Sequence, residues 1–465
     1  MAGLQEKKYR WEHDTYDIVF RAQDNWNTCQ ISDLQSSWHA NTSMSSDAVV
    51  ARFLKLNKKA FAFLGIVPVD TENHTTLRFI TSNYAGCVPL LSPVTGKPYA
   101  NLIVKGRFNE DVSEILPILP DSLNIDYNDS LVLPHQSKVK PPIYFECIKF
   151  MEKYLVARRS HWRKFINERR IQANPSSSTD WGKYAELSYS PQNKFKYPNK
   201  VNILTTDHYE WQQINHVLNL CIQELNSSNT PRRTRVSYQE KLNYLQIILR
   251  TQQLKPCTEL KVHAADPVII KDLKAIGNRI LESNSTEYRA WRIDFNRLFE
   301  QYVQYIMSNV AKAQYSKSYN NQKFSISGAQ TRWTLSYLEP DILLKKDNSL
   351  IILDAKYKTH MLNRYSGDVE SLQDSFRHDL HQVLAYSSFD PTSQKITMLI
   401  FTSTRFNYIR QVIRTPFNNV TNHVYLVGIP FGTLSNGDGG RVITMSENLH
   451  TATEGIKAII DSEFL

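Results

Sequence analysis

Two apolar runs dominate this chain: Leu338-Glu339-Pro340-Asp341-Ile342-Leu343-Leu344 and Ile351-Ile352-Leu353-Asp354-Ala355-Lys356-Tyr357-Lys358. Between them lies the turn-like segment Lys345-Lys346-Asp347-Asn348-Ser349. Short β-prone runs around such a segment predict a hairpin. A two-residue turn at Asp347-Asn348 sets Asp341 opposite Asp354. Opposed residues of an antiparallel pair share a face, with Cβ atoms roughly 4.5–5.5 Å apart. Lys356, two residues past Asp354, lies on that face too. Ile342, Leu344, Leu353 and Ala355 fall on the other face, where a core belongs. The expected hairpin presents two carboxylates and an ammonium on one side and apolar groups on the other. A longer turn would shift the register.

Like charges opposed across a ladder destabilise it. A divalent cation offsets them: Mg2+ takes carboxylate oxygens and keeps several waters. Such an ion lowers the pKa of a bound water and stabilises a phosphoryl oxygen. The lysine could orient or help deprotonate the attacking water, or stabilise charge on the phosphate. The competing reading is a hairpin whose charges only solubilise one face, since open strand faces commonly carry them.

The flanks are readable by period. From Tyr288, the positions Trp291, Phe295, Leu298, Phe299, Tyr302, Tyr305, Ile306 and Val310 recur at helical spacing. They predict one long helix, started by the polar cluster Ser283-Asn284-Ser285-Thr286, with Glu300 at the edge of the apolar stripe. Leu372, Phe376, Leu380, Val383 and Leu384 predict a second helix. On it Gln382 and Tyr386 share a face, able to hydrogen-bond a phosphate oxygen or a water. His378 and His381 are read as structural. Residues 395–402 and 424–429 read as buried strands, and Glu454 to Phe464 as a closing helix.

These pieces together resemble a known superfamily. Pro340-Asp341 followed by Asp354-Ala355-Lys356 looks like the PD-(D/E)XK nucleases. Asp354-Ala355-Lys356-Tyr357-Lys358 is similar to the corresponding strand of McrC-type restriction subunits (5-methylcytosine-type or LlaJI-like systems). Asp379-Leu380-His381-Gln382-Val383-Leu384-Ala385-Tyr386 resembles their Gln-x-x-x-Tyr helix, also found in RecB-type nucleases. Leu298-Phe299-Glu300-Gln301-Tyr302-Val303 resembles the superfamily's first helix, whose acidic residue can complete the metal shell. Trp211 to Leu220 loosely resembles the helix preceding the McrC nuclease core. The resemblance implies a mixed sheet flanked by helices over residues 285–465. It also implies a site in which Asp341, Asp354 and Glu300, with the Ala355 carbonyl, bind Mg2+ or Mn2+. Lys356, Gln382 and Tyr386 would complete it.

The rest of the chain is bounded by composition. At 465 residues it exceeds a single core and suggests two or three domains. Short β-like runs mark residues 1–140 as a β-rich N-terminal domain. The prolines Pro117, Pro120, Pro134, Pro141 and Pro142 punctuate its end. Residues 141–284 read as mainly helical. The expected class is therefore α/β in the wide sense, an α+β multidomain protein. No run of about 18 apolar residues indicates a membrane span. The N-terminus reads as no signal peptide. The five cysteines are odd in number and scattered, which argues for a reducing cytoplasm and against a disulfide framework or a clustered zinc or iron–sulfur site.

A net charge of +10 suits an approach to a phosphate backbone. Arg158, Arg159, Arg163 and Lys164, with Glu168-Arg169-Arg170 following, concentrate it and are read on a helix as phosphate contacts, or else as a solvated face. Lys358 joins them as a candidate DNA contact. Pro231-Arg232-Arg233-Thr234-Arg235 is a second basic patch, in an expected loop.

No nucleotide-binding loop is found. Ser92-Pro93-Val94-Thr95-Gly96-Lys97-Pro98 has a Gly-Lys pair, but Leu91 stands where a P-loop needs glycine and Pro98 where it needs Ser or Thr. The McrC resemblance implies that a separate AAA+ GTPase or ATPase, McrB-like, supplies the motor. Its ring would set any higher assembly, and residues 1–140 are the candidate docking region. The reading is a Mg2+-dependent DNA endonuclease subunit of a McrBC-like restriction or phage-defence complex. The alternatives are a stand-alone RecB-type repair nuclease and a non-catalytic DNA-binding or assembly subunit.

Overall fold

The computed structural model describes residues 17–22, 27–30, 45–69, 76–107, 119, 125–133, 142–283, 289–313, 316–328, 335–346, 349–358, 369–387, 394–414, 421–431 and 444–464. The chain divides into two compact units. One comprises Met1–Pro141 with Glu287–Leu465, and the other is Pro142–Thr286.

The first unit opens with strands β1 (Asp17–Arg21) and β2 (Asn27–Gln30) and helix α1 (Ser46–Phe63). Strands β3 (Val67–Val69), β4 (Thr76–Ile80), β5 (Tyr84–Leu91), β6 (Pro98–Lys105) and β7 (Ile125–Val132) follow. Ser45 starts α1 by accepting from the Ala48 N–H. Phe20, Phe53, Phe61, Phe79, Leu90 and Leu102 close the core beneath it. The Gly-Lys segment is the turn between β5 and β6: Gly96, at φ +69°, donates its N–H to Ser92, and the Ser92 N–H donates to Lys97.

The second unit comprises α2 (Tyr144–Arg159), β8 (Lys164–Gln172), α3 (Trp181–Ser188), β9 (Tyr197–Thr205), α4 (Tyr209–Asn226), α5 (Arg232–Leu249) and α6 (Val268–Ser283). The expected helical character holds for α2, α4, α5 and α6, where α2 packs on α4 and α6. It fails at the basic segment. The helix stops at Arg159, His161 takes a left-handed φ of 46°, and residues from Lys164 enter an antiparallel hairpin with β9. Two neighbouring signals were outweighed. Phe165 and Ile166 pair with Leu204 and Ile203, and a cross-strand ladder satisfies the backbone that a continued helix would have. The patch at Arg232 is likewise helical, as the first turn of α5.

The chain then returns to the first unit, where the long helix expected from Tyr288 is two elements. Strand β10 (Arg289–Asp294) runs between β5 and β7 in the sheet β1-β6-β5-β10-β7, and helix α7 (Phe295–Ala313) follows. Asp294 makes the break by accepting from the N–H groups of Asn296 and Arg297. The polar cluster at 284–286, expected to start that helix, lies outside the described residues. A boundary at 285 therefore does not separate the two ends of the chain, because β10 completes the N-terminal sheet. Gly86 permits that pairing, since a Cβ there would lie 2.1 Å from the Trp291 carbonyl oxygen.

Beyond α7 come β11 (Lys317–Asn320), β12 (Phe324–Ser325), β13 (Tyr337–Leu338), β14 (Ile342–Lys346), β15 (Ser349–Lys356), α8 (Val369–Ser387), β16 (Gln394–Ser403), β17 (Asn407–Arg414), β18 (Thr421–Pro430) and α9 (Met445–Phe464). The six-stranded sheet runs β11-β14-β15-β16-β18-β17, parallel at β15/β16 and β16/β18 and antiparallel elsewhere. The hairpin register is the expected one, with Ile342 opposite Leu353 and Lys346 opposite Ser349. Its turn residues, 347–348, lie outside the described residues. Both faces are covered, as buried parallel strands require. Leu343, Ile352, Leu399 and Phe401 pack against Val383 and Tyr386 of α8. On the opposite face Tyr357 meets Phe295 and Phe299 of α7. The charged face of the hairpin is thus not open to solvent along its length. Apolar residues fill it until Asp354.

Candidate functional site

Asp341 immediately precedes β14, and Asp354 lies near the end of β15. The alternation that buries Ile352 toward α8 carries Asp354 and Lys356 to the same face. The Ala355 N–H donates to Oδ2 of Asp341 at 2.7 Å, which pins the first carboxylate to the strand carrying the second. Asp354 is 1% exposed at its side chain. Lys356 Nζ lies 2.7 Å from Asp354 Oδ2 as an ion pair, although the approach lacks hydrogen-bond geometry. Lys356 Nζ also donates to Gln382 Oε1 at 3.2 Å, and Gln382 Nε2 donates to the Tyr386 hydroxyl at 2.8 Å. A polar chain therefore runs Asp354–Lys356–Gln382–Tyr386. The helical spacing of Gln382 and Tyr386 places both along one side of α8.

Electrostatics follow from burial. Asp341 is pushed up to about 8, first by desolvation and then by the charges of Asp354 and Glu300. The Ala355 N–H and Lys356 oppose that rise. Desolvation also raises Asp354, against the pull of Lys356. Burial by itself would lower Lys356, but Asp354, Asp341 and Asp379 outweigh it and hold the ammonium above its ordinary value. Tyr386 is raised by burial.

Glu300 comes near without joining the carboxylates. Its Oε1 accepts from Gln304 Nε2 at 3.1 Å and from Asn321 Nδ2 at 2.7 Å. Gln304 Nε2 and the Asn321 N–H in turn reach the Asp341 carbonyl at 3.3 and 3.0 Å. Gln304 and Asn321 escaped the sequence reading. Gln304 is one turn beyond Glu300, and Asn321 takes a left-handed φ of 50°, a conformation that asparagine tolerates. Among the described residues no group of three or more His, Cys, Asp or Glu side chains is gathered to hold an ion.

The other candidates are dispersed. Lys358 is engaged by Asp379, at 2.8 Å to each carboxylate oxygen. In the second unit Arg158, Arg159 and Arg163 are exposed. Lys164 is tied to Glu210 at 2.5 Å and sits 4.7 Å over the Trp162 ring. His378 and His381 are exposed on α8, outside the polar chain.

Fold and site define a mixed α/β protein of more than one unit, with a carboxylate–lysine cluster at the end of a hairpin in a helix-covered sheet. The model of the McrBC 5-methylcytosine restriction system component family matches residues 186–402. Two solved structures from Thermococcus gammatolerans are also similar. One is a half-complex of a tetradecameric assembly of McrB AAA+ hexamers with bound McrC, at 14% identity and TM-score 0.43, covering 95% of this chain and 100% of that chain. The other is a McrBC complex, at 12% identity and TM-score 0.28, covering 63% of this chain and 88% of that chain. No individually curated protein matches. No helix among the described residues is long and apolar enough to cross a membrane.

Proposed function

We propose that this chain is the DNA-cutting subunit of a McrBC-like restriction or defence complex: a Mg2+-dependent endonuclease of the PD-(D/E)XK type. One observation carries the reading. A buried carboxylate, a partly buried one and a lysine converge at the end of the hairpin formed by β14 and β15, inside the stretch that the McrBC family model matches.

The donor set fits a hard divalent cation. Asp341 and Asp354 offer oxygen ligands, desolvation raises both carboxyls, and Asp354 Oδ2 has no hydrogen-bond partner among the described residues. Bound by these two residues, Mg2+ or Mn2+ would offset their charge and polarise a phosphoryl oxygen. The residues themselves supply the rest. Lys356 keeps its proton, so its part is to donate to a phosphate oxygen and stabilise developing charge rather than to remove a proton. Gln382 orients that ammonium and Tyr386 orients Gln382. Glu300 is held one hydrogen-bond link away, and its rotation from Gln304 and Asn321 would bring a third carboxylate. The exposed Arg158, Arg159 and Arg163 contribute sequence-independent phosphate contact. An AAA+ NTPase, McrB-like, acts as the motor, since no phosphate-binding loop is found here.

The test is plasmid cleavage by the full chain with Mg2+, with and without a McrB-type NTPase and nucleotide, beside Asp354→Asn. Cutting that needs the NTPase, nucleotide and Asp354 supports the proposal. The unassembled third carboxylate favours one rival, a non-catalytic assembly subunit. That rival gains if Asp354→Asn protects cells from phage as well as wild type does.

A further inference from the structure

Between α7 and Asp341 the chain builds a small ribbon beside the carboxylate–lysine cluster. Strand β11 pairs with β14 so that Tyr319 lies opposite Leu343 and Asn320 opposite Ile342. The next residue, Asn321, donates its N–H to the Asp341 carbonyl at 3.0 Å. Opposed residues share a face, so Tyr319 lies on the side of Leu343, roughly 7 Å along the ladder from the residue that meets Asp341. Strands β12 and β13 pair Phe324 with Leu338 and Ser325 with Tyr337. Phe324 and Leu338 pack on the cluster of Leu343, Val383 and Tyr386, which anchors the ribbon to the α8 side of the sheet. Alternation turns Ser325 and Tyr337 outward, together with Lys323, two residues before Ser325. The Lys323 Nζ sits 4.3 Å over the Tyr337 ring. Tyr319 and Tyr337 are 42% and 41% exposed. Lys317 and Lys323 are exposed as well, and among the described residues neither has a carboxylate in ion-pair reach. Residues 316–328 and 335–338 carry two lysines and no acid.

We propose that this ribbon is a DNA-backbone contact: Lys317 and Lys323 hold phosphates of the strand entering the site, and Tyr319 and Tyr337 line its sugar–phosphate edge. The proposal rests on the nuclease reading of the cluster, whose substrate the ribbon orients. Charge selects the occupant, since exposed lysines on an acid-free surface match a polyanion. Side-chain type agrees, because lysine and tyrosine are common partners of phosphate and sugar. Place agrees too. Leu338 lies three residues before Asp341 in the chain, and Gln304 and Asn321 fix the Asp341 carbonyl at the ribbon's base. A strand held on the ribbon therefore runs toward the two carboxylates. These four side chains bind and take no part in bond cleavage, so they set affinity and KM.

The experiment is fluorescence anisotropy with a labelled DNA duplex across a salt series. The protein is the full chain carrying Asp354→Asn, so that no cutting intervenes, alone and assembled with a McrB-type NTPase. Adding Lys317→Gln and Lys323→Gln should flatten the slope of log affinity against log salt by about 2, one for each lost phosphate, on either of two unrelated sequences. Tyr337→Ala should weaken binding several-fold at fixed salt, through its own contact and the release of Lys323. Thermal melts should stay at the parent value, because the substituted side chains are exposed. An unchanged slope and affinity, or no DNA binding by the parent in either form, overturns the proposal. Loss of assembly with the NTPase at unchanged DNA affinity also overturns it and assigns the ribbon to a protein partner. Plasmid cleavage by chains that keep Asp354 separates the two readings. A flattened slope in a chain that never cuts keeps the ribbon and removes the nuclease. Unchanged DNA affinity in a chain that cuts through Asp354 does the reverse. Where the chain cuts, the double lysine substitution should raise KM several-fold with kcat little changed.

Discussion

Asp341→Asn should make the metal-free protein more stable at alkaline pH while ending cleavage. Its carboxyl is pushed from 3.8 up to about 8 by burial first, then by Asp354 and Glu300. Above the unfolded value, the folded state keeps a proton that the unfolded chain has released. Stability on this account is full below the unfolded value and is lost as pH rises through the folded one, from about 4 to about 8. Each unit is worth ~1.4 kcal/mol, which sets a ceiling of roughly 5–6 kcal/mol. Sharing of the proton with Asp354 and relaxation around the site leave about 2–3 kcal/mol. Asparagine can still accept the Ala355 N–H through its side-chain oxygen and carries no charge. Denaturant and thermal melts in EDTA at about pH 4 and about pH 8.5 test this. The variant should match wild type at the lower pH and exceed it by about 2–3 kcal/mol at the higher, several degrees for a unit of this size. Added Mg2+ should stabilise wild type at the higher pH far more than the variant, because ligand binding to the folded state adds to stability. Parallel pH dependence in the two proteins would refute the assignment of a strained carboxylate pair.

Lys356→Gln should lower plasmid cleavage by about 100-fold or more, the usual cost of losing a transition-state donor, and should lower metal-free melting, because buried Asp354 loses its ion pair. A rate within a few-fold of wild type would remove the lysine from the chemistry. Replacing Arg158, Arg159 and Arg163 with alanine should flatten the salt dependence of DNA affinity by about one unit of slope per lost phosphate contact, read by fluorescence anisotropy across a salt series. An unchanged slope assigns these arginines to a solvated face. Gly86→Ala places a Cβ 2.1 Å from the Trp291 carbonyl oxygen. It should cost about 3 kcal/mol or more through separation of β5 from β10, measurable by urea denaturation, and tolerance would deny the tight pairing.

The hairpin was legible because every signal for it is local. Its turn residues, two alternating runs and the positions of Asp341, Asp354 and Lys356 lie within one short stretch, and period and turn length set the register. Gln382 and Tyr386 were legible for a similar reason, since helical spacing puts both on one side of α8 before its packing is known. The break between β10 and α7 was not legible. Trp291 and Phe295 continue a helical stripe, and only the pairing of β10 with β5 and β7, distant in sequence, selects the extended form. Asp294 was the local clue, a cap residue just inside the expected helix. The basic segment misled in the same way. Arg158 through Lys164 reads as one charged helix until the β9 partner, beyond a long insertion, is supplied.

Charge pairing follows the same division. The sequence displays two lysines beside one aspartate in Asp354-Ala355-Lys356-Tyr357-Lys358, and strand alternation puts both on the face of that aspartate. Which acid each takes depends on the helix that crosses over the sheet between β15 and β16. That crossover brings Asp379 onto Lys358 and Gln382 onto Lys356. A motif read along the strand therefore assigns Lys358 to solvent and DNA. The folded chain instead sets it against a buried carboxylate. The acid that each lysine meets, and not its place along the strand, is therefore the discriminating feature.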